Sequence, residues 1–172
     1  MALEIERKFL VKNDDWRSHV TQSTHMRQGY LTPSLDGCKA SVRVRVDGTQ
    51  GYINIKSVRL GIHRHEFEYV IPLDEANEML DTLSSGPIID KTRHLVQHGG
   101  HVWEVDVFHG DNDGLIVAEI ELESVDEVFE MPDWAGADVS DEPRYYNVSL
   151  AKTPFKSWPH VSGQAEWDER NY

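Results

Sequence analysis

Along most of this chain apolar and charged side chains alternate residue by residue, a period that puts the two kinds on opposite faces of a strand. The N-terminal stretch sets the pattern: Leu3, Ile5, Phe9 and Val11 share one face, while Glu4, Glu6 and Lys8 share the other. One such segment alone reads more simply as an edge strand with a solvated face. Its recurrence changes that reading. Ser41 to Val46 sets Val42, Val44 and Val46 against Arg43 and Arg45, and Asp47-Gly48 predicts a hairpin turn. The return strand, Gly51 to Val58, sets Ile53 and Ile55 against Asn54 and Lys56. His65 to Ile71 sets Phe67, Tyr69 and Ile71 against Glu66 and Glu68. Asp90 to Gln97 carries Lys91 and Arg93 on one face. His101 to Phe108 sets Trp103, Val105 and Val107 against Glu104 and Asp106. Leu115 to Glu123 sets Ile116, Ala118, Ile120 and Leu122 against Glu119, Glu121 and Glu123.

Helical spacing is confined to a few places. Pro72 to Leu83 places Leu73, Ala76, Leu80 and Leu83 on one stripe, and Ser84-Ser-Gly-Pro87 stops it. Asn13 to Val20 predicts a short helix capped by Asn13 or Asp14, Ser124 to Val128 another, and Arg144 to Leu150 a third. Gln28 to Leu31 predicts a short strand ending at Thr32-Pro33. The sum is about seven or eight strands joined mostly as hairpins. That predicts a mainly β (α+β) fold, an antiparallel sheet closed on itself with a few helices packed outside. Residues 1–152 form the predicted domain; Pro154, Pro159 and Gly163 mark 153–172 as an irregular tail.

The chain has 172 residues, enough for one domain with a substantial core. Its single cysteine, Cys38, excludes an internal disulfide and a multi-cysteine zinc site. Met1 leads directly into the first strand with no basic and apolar leader, and no apolar run is long enough for a membrane span, which predicts a cytoplasmic protein. A formal net charge of −13 argues against nucleic-acid and anionic-membrane partners. It leaves room for a small polyanion wherever the few Lys and Arg are concentrated.

An inverted barrel, apolar outside and charged within, concentrates them. Its cationic candidates are Lys8, Arg43, Arg45, Lys56, Lys91 and Arg93. Its acidic candidates are Glu4, Glu6, Glu66, Glu68, Glu104, Asp106, Glu119, Glu121 and Glu123. A lumen with both signs is costly unless the charges pair or bind ions. Arginines at i, i+2 suit phosphate oxygens, and carboxylates at i, i+2 suit Mg²⁺ or Mn²⁺. Together they fit a metal-chelated polyphosphate. The competing reading of each pair is a solvated, cross-strand salt bridge, most apt for the strand-end residues Glu104 and Glu123. Trp103 reads as core, Cys38 as inert, and His63 and His65 as solvated residues on the face opposite Glu66 and Glu68.

Glu4-Ile-Glu-Arg-Lys8 resembles the ExExK signature of the CYTH superfamily, the triphosphate tunnel metalloenzymes. The resemblance continues in order through Gln28-Gly-Tyr-Leu31, Arg43-Val-Arg45, Ile55-Lys56, Glu66-Phe-Glu-Tyr69, Lys91-Thr-Arg93, Glu104-Val-Asp106, Glu119-Ile-Glu121 and Arg144-Tyr-Tyr-Asn147. It covers residues 2 to 150, and is most similar to short bacterial inorganic triphosphatases. The resemblance implies an eight-stranded antiparallel barrel whose tunnel binds triphosphate with Mg²⁺ or Mn²⁺. It implies Glu4, Glu6, Asp106, Glu119 and Glu121 as metal ligands and Lys8, Arg43, Arg45, Lys56, Lys91 and Arg93 as phosphate-binding residues. It also implies Lys8 and Tyr30 as a proton-handling pair, and Arg144 with the following helix as a lining or plug at one tunnel end. The activity implied is hydrolysis of tripolyphosphate to diphosphate and phosphate. The rivals are an adenylate cyclase or a thiamine-triphosphatase in the same tunnel, and a non-catalytic polyphosphate-binding module. A homodimer is compatible with all of them.

Overall fold

The computed structural model describes residues 3–33, 37–58 and 62–159. Among the described residues nine strands are formed: β1 (Leu3–Val11), β2 (Val20–Tyr30), β3 (Ala40–Asp47), β4 (Gln50–Ser57), β5 (His63–Ile71), β6 (Ile89–His98), β7 (His101–Phe108), β8 (Ile116–Leu122) and β9 (Ala135–Asp138). Two α-helices accompany them, α1 (Leu73–Leu83) and α2 (Asn147–Lys152). The first eight strands hydrogen-bond in the order β5-β4-β3-β2-β6-β7-β8-β1, and β5 pairs back onto β1 to close the ring. Every pairing is antiparallel. Closure is short, Leu3 to Ile5 against His63 to His65, and the rest of that edge of β1 is covered in turn. Ile62 O accepts Glu6 N, Ser140 Oγ accepts Lys8 N, and β9 takes Phe9 to Val11. No stretch of β1 is left as an open edge.

The apolar faces point outward and need covers. Over β1, β6, β7 and β8, Phe9, Trp103, Val105 and Ile120 are capped by Trp16 and by Trp134 with Ala135. Trp103 is fully buried, as its alternation implies. Over β3 and β4, α1 sets Ala76 and Leu80 on Val44. The approach is close enough that a Cβ on Gly51 would lie 2.5 Å from Ala76 Cβ, so a glycine is required there. A third apolar cluster sits inside one end of the ring. There Leu10, Tyr30, Ile89, Phe108 and Val117 meet Tyr145, Leu150, Phe155 and Trp158 of the C-terminal segment. This segment plugs the ring.

Several local expectations change. β2 begins eight residues before Gln28, because Thr21 to His25 is polar on both faces and shows no alternation to read. The helix expected over Asn13 to Val20 is a 3-10 turn, Asp15–His19, entered through Asp15 N donating to Asn13 Oδ1. Ser124 to Val128 is a turn rather than a helix, since Glu127 spends its carboxylate on Glu123 N and His101. β9 has no counterpart among the expected strands; Ala-Gly-Ala-Asp offers no periodic signal. Within residues 153–159 Phe155 and Trp158 are buried, while Thr153, Lys156, Ser157 and Pro159 are exposed. Phe155 is buried with its N–H on Asn112 Oδ1, and Trp158 stacks edge-on to Tyr145 and Phe155. Residues 160–172 lie outside the described residues. Among the described residues, no helix is long and apolar enough to cross a membrane.

Candidate active site

The register of the ring decides which side chains face inward. Directly opposed residues share a face, so the opposition of Glu4 to Arg64, Glu6 to Glu121, Lys8 to Glu119 and Glu119 to Glu104 sets these seven on the lumen. The same walk continues through Asp106 and Arg93, Arg45 and Gln28, Tyr30 and Arg43, Asn54 and Glu68, and Lys56 and Glu66. Histidines 63 and 65 fall on the other face, as expected.

The lumen holds a cavity of about 300 Å³. Seven carboxylates line it (Glu4, Glu6, Glu66, Glu68, Glu104, Glu119 and Glu121), and so do six cations: Lys8, Arg43, Arg45, Lys56, Arg64 and Arg93. Tyr30, Asn54 and the plug residues Pro143, Tyr146 and Asn147 complete the wall. Of the residues singled out in the sequence, Lys91 and Asp106 are not on this wall. They lie behind it, each 1% exposed, with Lys91 Nζ 2.7 Å from Asp106 Oδ2. Arg93 connects that buried pair to the cavity. Its Nε and Nη2 donate to Asp106 at 2.8 and 2.9 Å, its Nη1 to Glu104 at 3.1 Å, and Glu119 lies 3.7 Å away. Glu104, expected to face solvent, is therefore part of the site; Glu123 is exposed.

The electrostatics follow from crowding. Burial, reinforced by Glu119, pushes the Glu6 carboxyl up to about 8, so it holds a proton at neutral pH. Burial also raises Glu4 and Glu104. For Glu119 burial acts in the same sense, but Lys8 and Arg93 outweigh it and hold the group well below the usual carboxylate range. Burial would lower Lys56, yet Glu6 and Glu4 leave it raised; Lys56 Nζ lies 3.1 Å from Glu4 and 3.6 Å from Glu66. Burial depresses Lys91 to about 8 despite Asp106. Tyr30 is raised by burial and stays a neutral phenol, hydrogen-bonded to Arg43. Lys8 Nζ donates instead to Tyr145 O at 3.2 Å, so Lys8 and Tyr30 share the cavity through separate partners.

The donor set tests whether a metal ion suits this site. Glu4, Glu6, Glu119 and Glu121 offer oxygen only, the chemistry of a hard divalent cation. Burial leads the rise of Glu6, with Glu119 and Glu4 adding to it and Lys56 and Lys8 opposing it. Among the described residues no three such donors converge on one point as placed. Glu4 leans to Lys56 and Glu119 to Arg93, each toward the opposite charge at hand. The residues fit a cation that would exchange with those contacts.

Sequence reasoning misses Arg64 as a lumen residue; it sets Asn54 on the face of Lys56 without a role, and Tyr146 and Asn147 in the segment expected to line or plug one tunnel end. Arg64 is within its reach, because it stands two before Glu66 on the same strand face; a strand begun at His65 hides it. Asn54 donates to both Glu66 (2.9 Å) and Glu68 (3.1 Å), a role that only the β4–β5 register reveals.

A family model described as the CYTH domain matches residues 2–152. An inorganic triphosphatase of Acetivibrio thermocellus is 46% identical over 158 residues, covering 92% of this chain and 99% of that protein. An inorganic triphosphatase of Nitrosomonas europaea is 37% identical over 152 residues, covering 86% and 96%. A crystal structure of an inorganic triphosphatase superposes with a TM-score of 0.64 at 32% identity, covering 88% of this chain and 95% of that one. The closed ring, the two-signed lumen and these matches agree, and the chain belongs to the CYTH domain family.

Proposed function

We propose that this protein hydrolyses inorganic tripolyphosphate to diphosphate and phosphate inside the ring, using Mg²⁺ or Mn²⁺, as a cytoplasmic enzyme. The observation that carries the reading is the lumen itself: cations and carboxylates of nearly equal number face one small cavity, in a chain close to two inorganic triphosphatases. A volume of about 300 Å³ is at the lower end for ligand pockets. It suits three linked phosphates better than a nucleotide or thiamine ester, whose organic part would have to stay outside.

Glu4, Glu6, Glu119 and Glu121 would hold the metal, with Asp106 joining only if Arg93 and Lys91 release it. A divalent cation there would neutralise phosphate charge and acidify water. Arg43, Arg45, Lys56 and Arg93 bind and orient the phosphates, and their preorganised charge stabilises the oxygens of the transferring phosphoryl group. Lys91 supports Arg93 through Asp106. Tyr30, a buried neutral phenol, donates a hydrogen bond or a proton rather than acting as a base. Lys8, anchored on Tyr145 O, presents its ammonium to the leaving phosphate.

The test is phosphate release from tripolyphosphate, ATP and thiamine triphosphate in parallel, with Mg²⁺, Mn²⁺ or EDTA, while ATP is watched for cyclic AMP. Metal-dependent release from tripolyphosphate is expected to dominate. Cyclic AMP from ATP would make the protein a cyclase, and binding without turnover would leave a polyphosphate-binding module. Glu119→Gln should abolish metal-dependent turnover in a folded protein.

A further inference from the structure

The six lumen cations divide by what they already hold. Lys56 is paired with Glu4 and Glu66, Arg45 with Asp47 and Glu68, and Arg93 with Asp106, Glu104 and Glu119. Lys8, Arg43 and Arg64 make no ion pair among the described residues. Lys8 rests on a backbone carbonyl and Arg43 on the Tyr30 hydroxyl. Arg64 has only an aromatic face. Its guanidinium carbon lies 4.3 Å from the centroid of the Tyr146 ring, and its buried Nε has no hydrogen-bond partner.

Tyr146 is well placed to hold it. The ring is buried, its hydroxyl donates to Ser140 O at 2.6 Å, and Ser140 Oγ in turn accepts the Lys8 N–H at 2.9 Å. Lys8 Nζ lies 5.3 Å from the same ring centroid. One aromatic plate therefore carries two cations. Contact through the face of a guanidinium leaves its in-plane N–H groups free, the geometry that suits bidentate contact with phosphate oxygens. Tyr146 immediately precedes α2 and follows Tyr145 of the apolar plug, on whose carbonyl Lys8 Nζ rests, so this pair of cations lies at the plugged end of the cavity.

We propose that Arg64 is a phosphate-binding residue of the lumen, positioned by Tyr146, and that with Lys8 it forms the subsite for the terminal phosphate of the substrate. The proposal rests on the triphosphatase reading above. It also sets polarity: a triphosphate enters from the end away from the plug, terminal phosphate first, and any ester group trails toward that mouth.

The test uses the full chain and a readout without turnover, calorimetric binding of tripolyphosphate in EDTA. Arg64→Gln is expected to weaken binding by about tenfold or more, the loss of one charge-assisted pair. Arg64→Lys should fall between, keeping charge without the fork, and it serves if Arg64→Gln folds poorly. Tyr146→Leu should weaken binding by about threefold or more, while Tyr146→Phe keeps the ring and stays near the unaltered value. Arg17→Gln, far out on the surface, should change nothing. Binding of Arg64→Gln within about twofold of the unaltered protein, at an unaltered melting temperature, overturns the proposal. So does a loss in Arg64→Gln matched by Tyr146→Phe with a lowered melting temperature, which would make Arg64 a support for the plug. If the unaltered protein neither binds nor hydrolyses tripolyphosphate, the triphosphatase reading itself fails, an outcome distinct from the other two.

Discussion

The buried pair behind the lumen wall gives the sharpest expectation. Asp106 accepts from Lys91 Nζ and from Arg93 Nε and Nη2, all within 2.9 Å, with both carboxylate oxygens engaged. Asp106→Asn keeps the shape and removes the charge, so two buried cations lose their shared counter-ion. Breaking such a pair by removing one member costs about 3–5 kcal/mol. Lys91 can limit its part of that cost by shedding its proton, which Arg93 cannot do. Burial has already moved Lys91 from 10.5 to about 8. At about 1.4 kcal/mol per pH unit, the native state already bears about 3 of the roughly 5 kcal/mol that neutralising this lysine at pH 7 could cost. Asp106→Asn should therefore lose about 3 kcal/mol, toward the lower end of the range. Lys91→Met should lie within about 1 kcal/mol of the unaltered protein, because Arg93 still holds Asp106 by two bonds and the desolvated ammonium is gone. The assay is urea unfolding at pH 7 with chelator. The pH arm has a definite sign. The folded value of Lys91 is below its unfolded one, so the native state binds fewer protons between pH 8 and 10.5 and gains stability across that window. Lys91→Met should lack that gain. Equal costs for the two substitutions, or parallel pH curves for Lys91→Met and the unaltered chain, would refute the reasoning.

Three further outcomes are expected. Glu6 is raised from 4.5 to about 8, so its contribution to stability is complete below pH 4.5 and is lost as pH rises through 8. The chelated protein should melt lower at pH 8.5 than at pH 5.5, and Mg²⁺ should raise the melting temperature more at pH 8.5. An equal Mg²⁺ effect at both pH values would place the ion elsewhere. Gly51→Val drives a side chain into Ala76 under α1 and should cost about 1–3 kcal/mol in chemical unfolding, with lumen chemistry little changed. Ending the chain after Lys152 removes Phe155 and Trp158 from the plug. Losing a buried aromatic costs about 3–5 kcal/mol, so thermal melting should show a large drop or no folded protein; an unchanged transition would support a domain boundary at 152.

Whatever repeats with period two is legible in the amino-acid order alone. Val42, Val44 and Val46 against Arg43 and Arg45 require a strand with one charged face. With seven such strands, only a closed ring with its charged faces inward gathers Glu4, Arg43, Lys56 and Glu119 around one cavity. Alternation names a face, however, and is silent on depth along it. Asp106 and Lys91 carry the correct parity, yet they fall behind the wall because the register sets Asp106 against Arg93 and Lys91 against Phe108, beside the apolar plug. Polar runs are illegible for the opposite reason. Thr21 to His25 forms a strand because β6 supplies the partners, and nothing in its own sequence distinguishes its two faces. The plug shows the same limit in a third form. Pro154 and Pro159 read as the end of order, but Phe155 and Trp158 between them fill a space that exists only once the ring is closed. That same closure turns Tyr146 toward Arg64. A residue just before α2 thereby sets a cation on the fifth strand, and the binding wall depends on contacts between parts of the chain that no local pattern connects.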